Sequence, residues 1–223
     1  RQNAPERSAP AWRGARQMDS IRCGGRYRLL CFGDSNTYGY DPRSYLGSRY
    51  PETVRWTGIL NARPDWEILN RGENGREIPR RPREVELAAE TVERAGRLDG
   101  LIVMLGGNDL LQDPELTAEG VAARMEAFLG RLRERPALTG VKLILTAPPP
   151  MRRGAWVEEA RLLRESARLP RCCRDLALRM GLSFADAGAW EIELAFDGVH
   201  FSEAGHRTFA RHMEAVLKRM FTP

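Results

Sequence analysis

The chain has 223 residues, 42% hydrophobic and 29% charged, which suits one globular domain with a sizeable core and excludes an intrinsically disordered chain. No apolar run approaches the roughly 20 residues that a membrane-spanning helix needs. The formal net charge of +5 sits at the amino-terminal end, where residues 1–28 carry seven Arg against Glu6 and Asp19 and leave the remainder balanced, so a nucleic-acid-binding body is not expected.

Residues 1–25, rich in Ala, Pro, Arg and Gly, read as a flexible basic extension, and residues 26–223 as the folded domain. A tether to nucleic acid or an anionic surface is the extension's rival role. It lacks the apolar segment of a secretory signal. Cys23, Cys31, Cys172 and Cys173 show no metal-ligand spacing. Reduced thiols and a cytoplasmic location are therefore the default expectation.

From about Arg26 onward strand and helix patterns alternate, which predicts a parallel sheet covered on both faces. The first strand covers residues 27–32. A helix over 53–62 places Val54, Trp56, Ile59 and Leu60 on one side. A strand at 66–69 leads into a Gly- and Arg-rich loop, 70–81. A helix over 82–97 has a proline at its start, where the missing N–H costs nothing. The apolar run Leu101-Ile102-Val103-Met104-Leu105 has the composition of a central parallel strand. Thr117 caps a helix to 133, and a strand at 141–145 ends in Pro148-Pro149-Pro150. A helical region covers 155–180 with a break or kink at Pro170. The last strand is 182–185, and Ser202 caps a helix to 220. Five parallel strands in the flavodoxin-like order 2-1-3-4-5 are expected, in one three-layer α/β/α domain.

The chemistry-bearing segments fall at matching places in this scheme. Ser35 follows the first strand in Gly33-Asp34-Ser35, Gly75 follows the second, and Asn108 follows the third in Gly106-Gly107-Asn108-Asp109. Asp197 and His200 lie between the fifth strand and the last helix. In a parallel sheet all carboxyl ends share one edge, so these remote segments converge there. A hydroxyl, an imidazole, a carboxylate and polar N–H donors are the set that acyl transfer requires. Each has a plainer reading: Ser35 as a loop serine, Asn108 as a turn residue, Asp197-Gly198 as a turn. His206 and His212, six residues apart, read as structural, as do Asp34, Asp109 and Asp186. No metal set and no G-x-G-x-x-G fingerprint is present, so no cofactor is expected.

These four blocks, in order across residues 27–220, resemble the GDSL/SGNH hydrolase superfamily. Residues 31–37, Val54-Arg55-Trp56-Thr57-Gly58 and Phe184-Ala185-Asp186-Ala187-Gly188 are similar to its arylesterase/acyltransferase branch. The resemblance implies Ser35 as nucleophile, His200 as base and Asp197 as the group that orients the imidazole. It implies an oxyanion hole from the Ser35 and Gly75 N–H groups and the Asn108 amide, with Gly72 as a rival to Gly75. Losing one such donor typically costs about 10²–10³ in turnover.

The expected activity is hydrolysis of small carboxylic esters through an acyl-enzyme, with acyl transfer as an accompanying option. Glu73, Asn74, Arg76 and Glu77 make the second block more charged than that branch implies, which keeps carbohydrate O-deacetylation and lysophospholipid hydrolysis as alternatives. A catalytically silent, flavodoxin-like module binding a small anion is the rival from another class. Loops 38–51, 148–156 and 190–196 are expected to shape the pocket, with Tyr38, Tyr40, Tyr45, Trp156 and Trp190 as aromatic surface or as packing. The cluster Arg71, Arg76, Arg80, Arg81 and Arg83 reads as a salt-bridged surface with Glu73, Glu77 and Glu84, the alternative being attraction of anionic esters. The resemblance also leaves a homo-oligomer open.

Overall fold

A computed structural model of the chain describes residues 25–44 and 46–221; the predicted basic extension and Tyr45 lie outside them, apart from Gly25. In chain order the elements are β1 (Tyr27–Gly33), α1 (Ser35–Tyr38), α2 (Trp56–Asn61), β2 (Trp66–Gly72), α3 (Pro82–Arg94), β3 (Gly100–Met104), α4 (Gly107–Gln112), α5 (Ala118–Leu132), β4 (Lys142–Ala147), α6 (Ala160–Met180), β5 (Ser183–Asp186) and α7 (Glu203–Phe221). The strands form one sheet in the order β2-β1-β3-β4-β5, every neighbour parallel, as the alternation predicts.

Side chains alternate across this sheet, as the pleat demands. Leu30 and Phe32 of β1, with Leu101 and Val103 of β3, face a core completed by α3, α5 and α6 through Val85, Val92, Met125, Phe128 and Leu169. Leu29, Cys31, Ile102 and Met104 face the other core, where Trp56 and Leu60 of α2 meet Phe209, Met213 and Leu217 of α7. Both faces are dry, which is why β3 reads as an unbroken apolar run. Fully burying each such side chain contributes roughly 1.5–3 kcal/mol.

The layering fixes where a ligand can bind. The connection from β1 to β2 carries α2 on one face, and that from β2 to β3 carries α3 on the other. The chain therefore reverses direction across the sheet beside β1, and a crevice opens at the carboxyl end of that strand.

Several boundaries differ from the sequence expectation. Helix α2 starts at Trp56, not residue 53, because residues 51–55 close a separate turn on the Pro51 carbonyl and Arg55 is extended at ψ 136°. The helix expected from 155 starts at Ala160. Residues 154–157 instead fold back on a neighbouring loop, with Ala155 and Trp156 donating to the carbonyls of Phe196 and Asp197. Helix α6 continues unbroken through Pro170, which leaves the Ser166 carbonyl without its helical N–H. The short helices α1 and α4 fall where loops are expected, being too brief for a periodic signal.

Candidate active site

Ser35 is the first residue of α1, directly past the carboxyl end of β1. Asp34 caps that helix by accepting the Asn36 N–H at 2.9 Å. Burial pushes the Asp34 carboxyl up to about 6, against the opposing pulls of that N–H, His200 and Arg76. Ser35 is 5% exposed, so its hydroxyl lies at the floor of a recess and not on an open loop.

Asp197 and His200 sit on the loop entering α7, both buried. Asp197 Oδ1 accepts the N–H groups of Val199 and His200 at 2.9 and 3.0 Å, closing a compact turn. Asp197 Oδ2 lies 2.7 Å from His200 Nδ1. Burial acts to raise the Asp197 pKa, but the bonds from the His200 ring and from the two N–H groups hold it below the ordinary carboxylate range. An ionised Asp197 can only accept, so the proton of a neutral His200 belongs on Nδ1. Nε2 is then an acceptor, and it lies 2.9 Å from Ser35 Oγ. The rings of Tyr40 and Trp156 flank the imidazole, with centroids at 4.7 and 5.0 Å.

Asn108 is in the first turn of α4 and lines the same recess as Ser35. Its Nδ2 donates to the Arg76 carbonyl at 3.0 Å, which fixes the amide and leaves its second N–H for another acceptor. Gly75 lies in a turn closed by Arg76 N–H donating to Glu73 C=O, and it has φ +72°, a conformation that glycine adopts freely. That turn is held against β1 by the Glu73 N–H on the Gly33 carbonyl at 3.1 Å. Gly72 has a different reason to be glycine: a Cβ there would come within 2.1 Å of the Tyr38 nitrogen.

Leu110, Pro148, Met151, Leu169 and Val199 supply the apolar part of the recess wall, and Ser166 stands among them. Of the aromatic candidates, Tyr40 and Trp156 stand at the site. Trp190 instead packs on Phe209 and His212. His206 is fully buried beneath Tyr50 and Phe201, and burial takes it down to about 3. Asp109 accepts the Ile78 N–H and pairs with Arg124. Asp186 accepts the Gly188 N–H. Among the described residues no group of three or more His, Cys, Asp or Glu could hold a metal ion.

The Arg cluster is largely a paired surface, with Arg80 on Glu77, Arg81 on Glu84 and Arg83 on Glu90. Arg76 departs from it. Its guanidinium lies over the Phe32 ring at 4.1 Å and donates to the Gly33 carbonyl at 2.8 Å, while pairing with Glu73. Two features were not legible in advance: this inward role of Arg76 and the contacts of the Asn36 amide with the His200 loop. Nothing in the local pattern separates either residue from its neighbours.

A hydroxyl, an imidazole and a carboxylate in hydrogen-bonded series, at the carboxyl edge of a parallel α/β sheet, define a serine hydrolase. The comparisons carry this to a family. The model of the GDSL-like lipase/acylhydrolase family matches residues 31–208, and the chain belongs to that family. Among solved structures, the chain is similar to a carbohydrate acetylesterase family member from Sinorhizobium meliloti, at 27% identity and TM-score 0.77, over 88% of this chain and 100% of that one. It is similar to a putative arylesterase from Agrobacterium tumefaciens strain C58, at 27% identity and TM-score 0.76, over 87% and 100%. It is also similar to the aryl esterase of M. smegmatis, at 26% identity and TM-score 0.72, over 85% and 99%. A search of the curated proteins gave no match. The chain is an ester-hydrolysing serine hydrolase.

Proposed function

We propose that the protein hydrolyses small carboxylic esters with short acyl groups through an acyl-enzyme on Ser35. The observation that carries the reading is the continuous relay Ser35 Oγ–His200 Nε2–Asp197 at 2.9 and 2.7 Å. An unassisted hydroxyl is a poor nucleophile. As Oγ forms its bond to the carbonyl carbon, its proton passes to Nε2, and Asp197 stabilises the resulting imidazolium without itself taking the proton. The carbonyl oxygen becomes an oxyanion held by the Ser35 and Gly75 N–H groups and the second N–H of Asn108. Collapse breaks the ester C–O bond, and the Nε2 proton goes to the leaving alcohol. Water then repeats the sequence in reverse roles and frees the acid and Ser35.

The recess supports a short acyl group. Leu110, Pro148, Met151 and Leu169 stand around it and leave a cavity of about 20 Å3. The alcohol side is more open, with Trp156 half-exposed beside His200. A sugar acetate as the natural substrate is favoured by the likeness to the carbohydrate acetylesterase family member, and an aryl ester by the likeness to the two arylesterases. The free thiols Cys31, Cys172 and Cys173 support a reducing, cytoplasmic setting.

The test uses p-nitrophenyl acetate and a fluorophosphonate probe on the wild type and on Ser35→Ala. Hydrolysis and labelling should both vanish in the variant, and a variant as active as the wild type refutes the reading. The ratio of kcat/KM for an acetylated oligosaccharide to that for the aryl acetate then separates the two substrate classes.

A further inference from the structure

The structure assigns to Asn36, which neighbours Ser35 in the chain, a positioning role: we propose that its side-chain amide sets the distance between Ser35 and His200. This rests on the esterase reading above and adds a residue to it. Asn36 Nδ2 donates to the Val199 carbonyl at 3.1 Å, and Asn36 Oδ1 accepts the Phe201 N–H at 2.9 Å. Residues 199 and 201 flank His200. The amide thus grips the backbone on both sides of the imidazole, much as a neighbouring β-strand would.

Apart from the His200 ring itself, the other bonds of that loop do not reach α1. Asp197 holds the Val199 and His200 N–H groups, and Ala195 N–H holds the His200 carbonyl at 2.7 Å. These contacts join residues of the segment 195–200 to one another, and the Arg152, Ala155 and Trp156 N–H groups hold its far side through the Gly198, Phe196 and Asp197 carbonyls. They define the shape of the turn and back it from the 152–157 loop, but none of them ties it to the element that carries Ser35. Asn36 joins the turn to α1, the element that carries Ser35.

Asn36 is itself immobilised. Its N–H is held by Asp34, its carbonyl accepts Trp56 Nε1–H at 3.0 Å, and its side chain is buried. Only an amide of this length supplies a donor and an acceptor together. A carboxylate keeps the bond to Phe201 N–H but sets an oxygen against the Val199 carbonyl. Small displacements of reacting groups have large kinetic effects, on the order of 10²-fold for about 1 Å.

The experiment compares Asn36→Ala and Asn36→Asp with the wild type. For folded Asn36→Ala, kcat and the rate of fluorophosphonate labelling should fall together by about 10- to 100-fold, with KM within about threefold. The downfield NMR resonance of the His200 Nδ1 proton should persist, because the Asp197–His200 contact is internal to the turn. Asn36→Asp should follow Asn36→Ala, and it decides the matter if the alanine variant does not fold. Wild-type kcat and labelling in a folded variant overturn the proposal. So does loss of the Nδ1 resonance together with activity, which would make Asn36 a support for the turn as a whole. The two readings fail separately: an active Ser35→Ala defeats the esterase, while an inactive Ser35→Ala beside a fully active Asn36→Ala defeats only the positioning role.

Discussion

Asp34, next to Ser35 in the chain, and Asp197, behind the His200 ring, are pushed in opposite directions. Burial dominates at Asp34 and raises it from 3.8 to about 6. Hydrogen bonds outweigh burial at Asp197 and lower it. The sign of each effect on stability follows from linkage. A raised carboxyl favours folding below about pH 4, and that contribution is lost as pH climbs through about 6. A rise of that size corresponds to about 3 kcal/mol. The lowered Asp197 acts the other way, stabilising above the ordinary carboxylate range and losing its effect as pH falls. Asp34→Asn keeps an oxygen to cap the Asn36 N–H but removes the buried charge. The variant should therefore melt higher than wild type near pH 8 and show no such gain near pH 4. Thermal unfolding across that range checks it, and a difference that does not grow with pH contradicts the burial of a charged Asp34.

At the scale of elements, the site depends on two loops that meet back to back. Residues 152–157 and 195–198 are joined by Arg152 N–H to the Gly198 carbonyl, Ala155 N–H to Phe196 and Trp156 N–H to Asp197. Gly198 has φ +81°, and a Cβ there would come within 2.0 Å of the Arg152 carbonyl oxygen. Gly198→Ala combines left-handed strain of about 1–2 kcal/mol with that clash. The loop would have to shift, taking Asp197 and His200 with it. Turnover should fall at least about tenfold, as expected when reacting groups are displaced, and the melting temperature should fall too. Unchanged values of both would show that the two loops are not coupled. Helix caps were readable here, since Thr117 and Ser202 accept from the N–H three residues on, as their types suggest. The start of α6 was not, because what keeps residues 154–157 out of the helix is the 195–198 loop, some 40 residues away in the chain.

For the whole molecule, the two faces of one sheet divide the work. One core, under α3, α5 and α6, is mainly aliphatic. The other is aromatic, and Phe209 stands at its centre with Trp56 at 4.7 Å, Trp190 at 5.1 Å and Phe201 at 5.3 Å. Phe201 directly follows His200, so this core also underlies the site. Phe209→Ala should destabilise the fold by about 3–5 kcal/mol. Urea unfolding measures this, and a loss under about 1 kcal/mol would mean that the aromatic cluster is not close-packed.

The sequence by itself determined the alternation of elements, the parallel sheet and the four segments that meet at one edge, while the strand order is an expectation of the flavodoxin-like fold that the structure bears out. The first three follow from hydrophobic period, from caps, and from the rule that parallel strands end together, all carried by neighbouring residues or by connectivity. Only the tertiary structure decided which polar groups face one another across that edge. The Asn36 amide on the His200 loop, the Arg76 carbonyl on Asn108, and the packing of Trp190 against the core depend on contacts between residues 32 to 165 positions apart or on helix packing. A hydrogen bond is directional and short in range, so its partner is chosen by the folded arrangement and leaves no periodic mark in the chain.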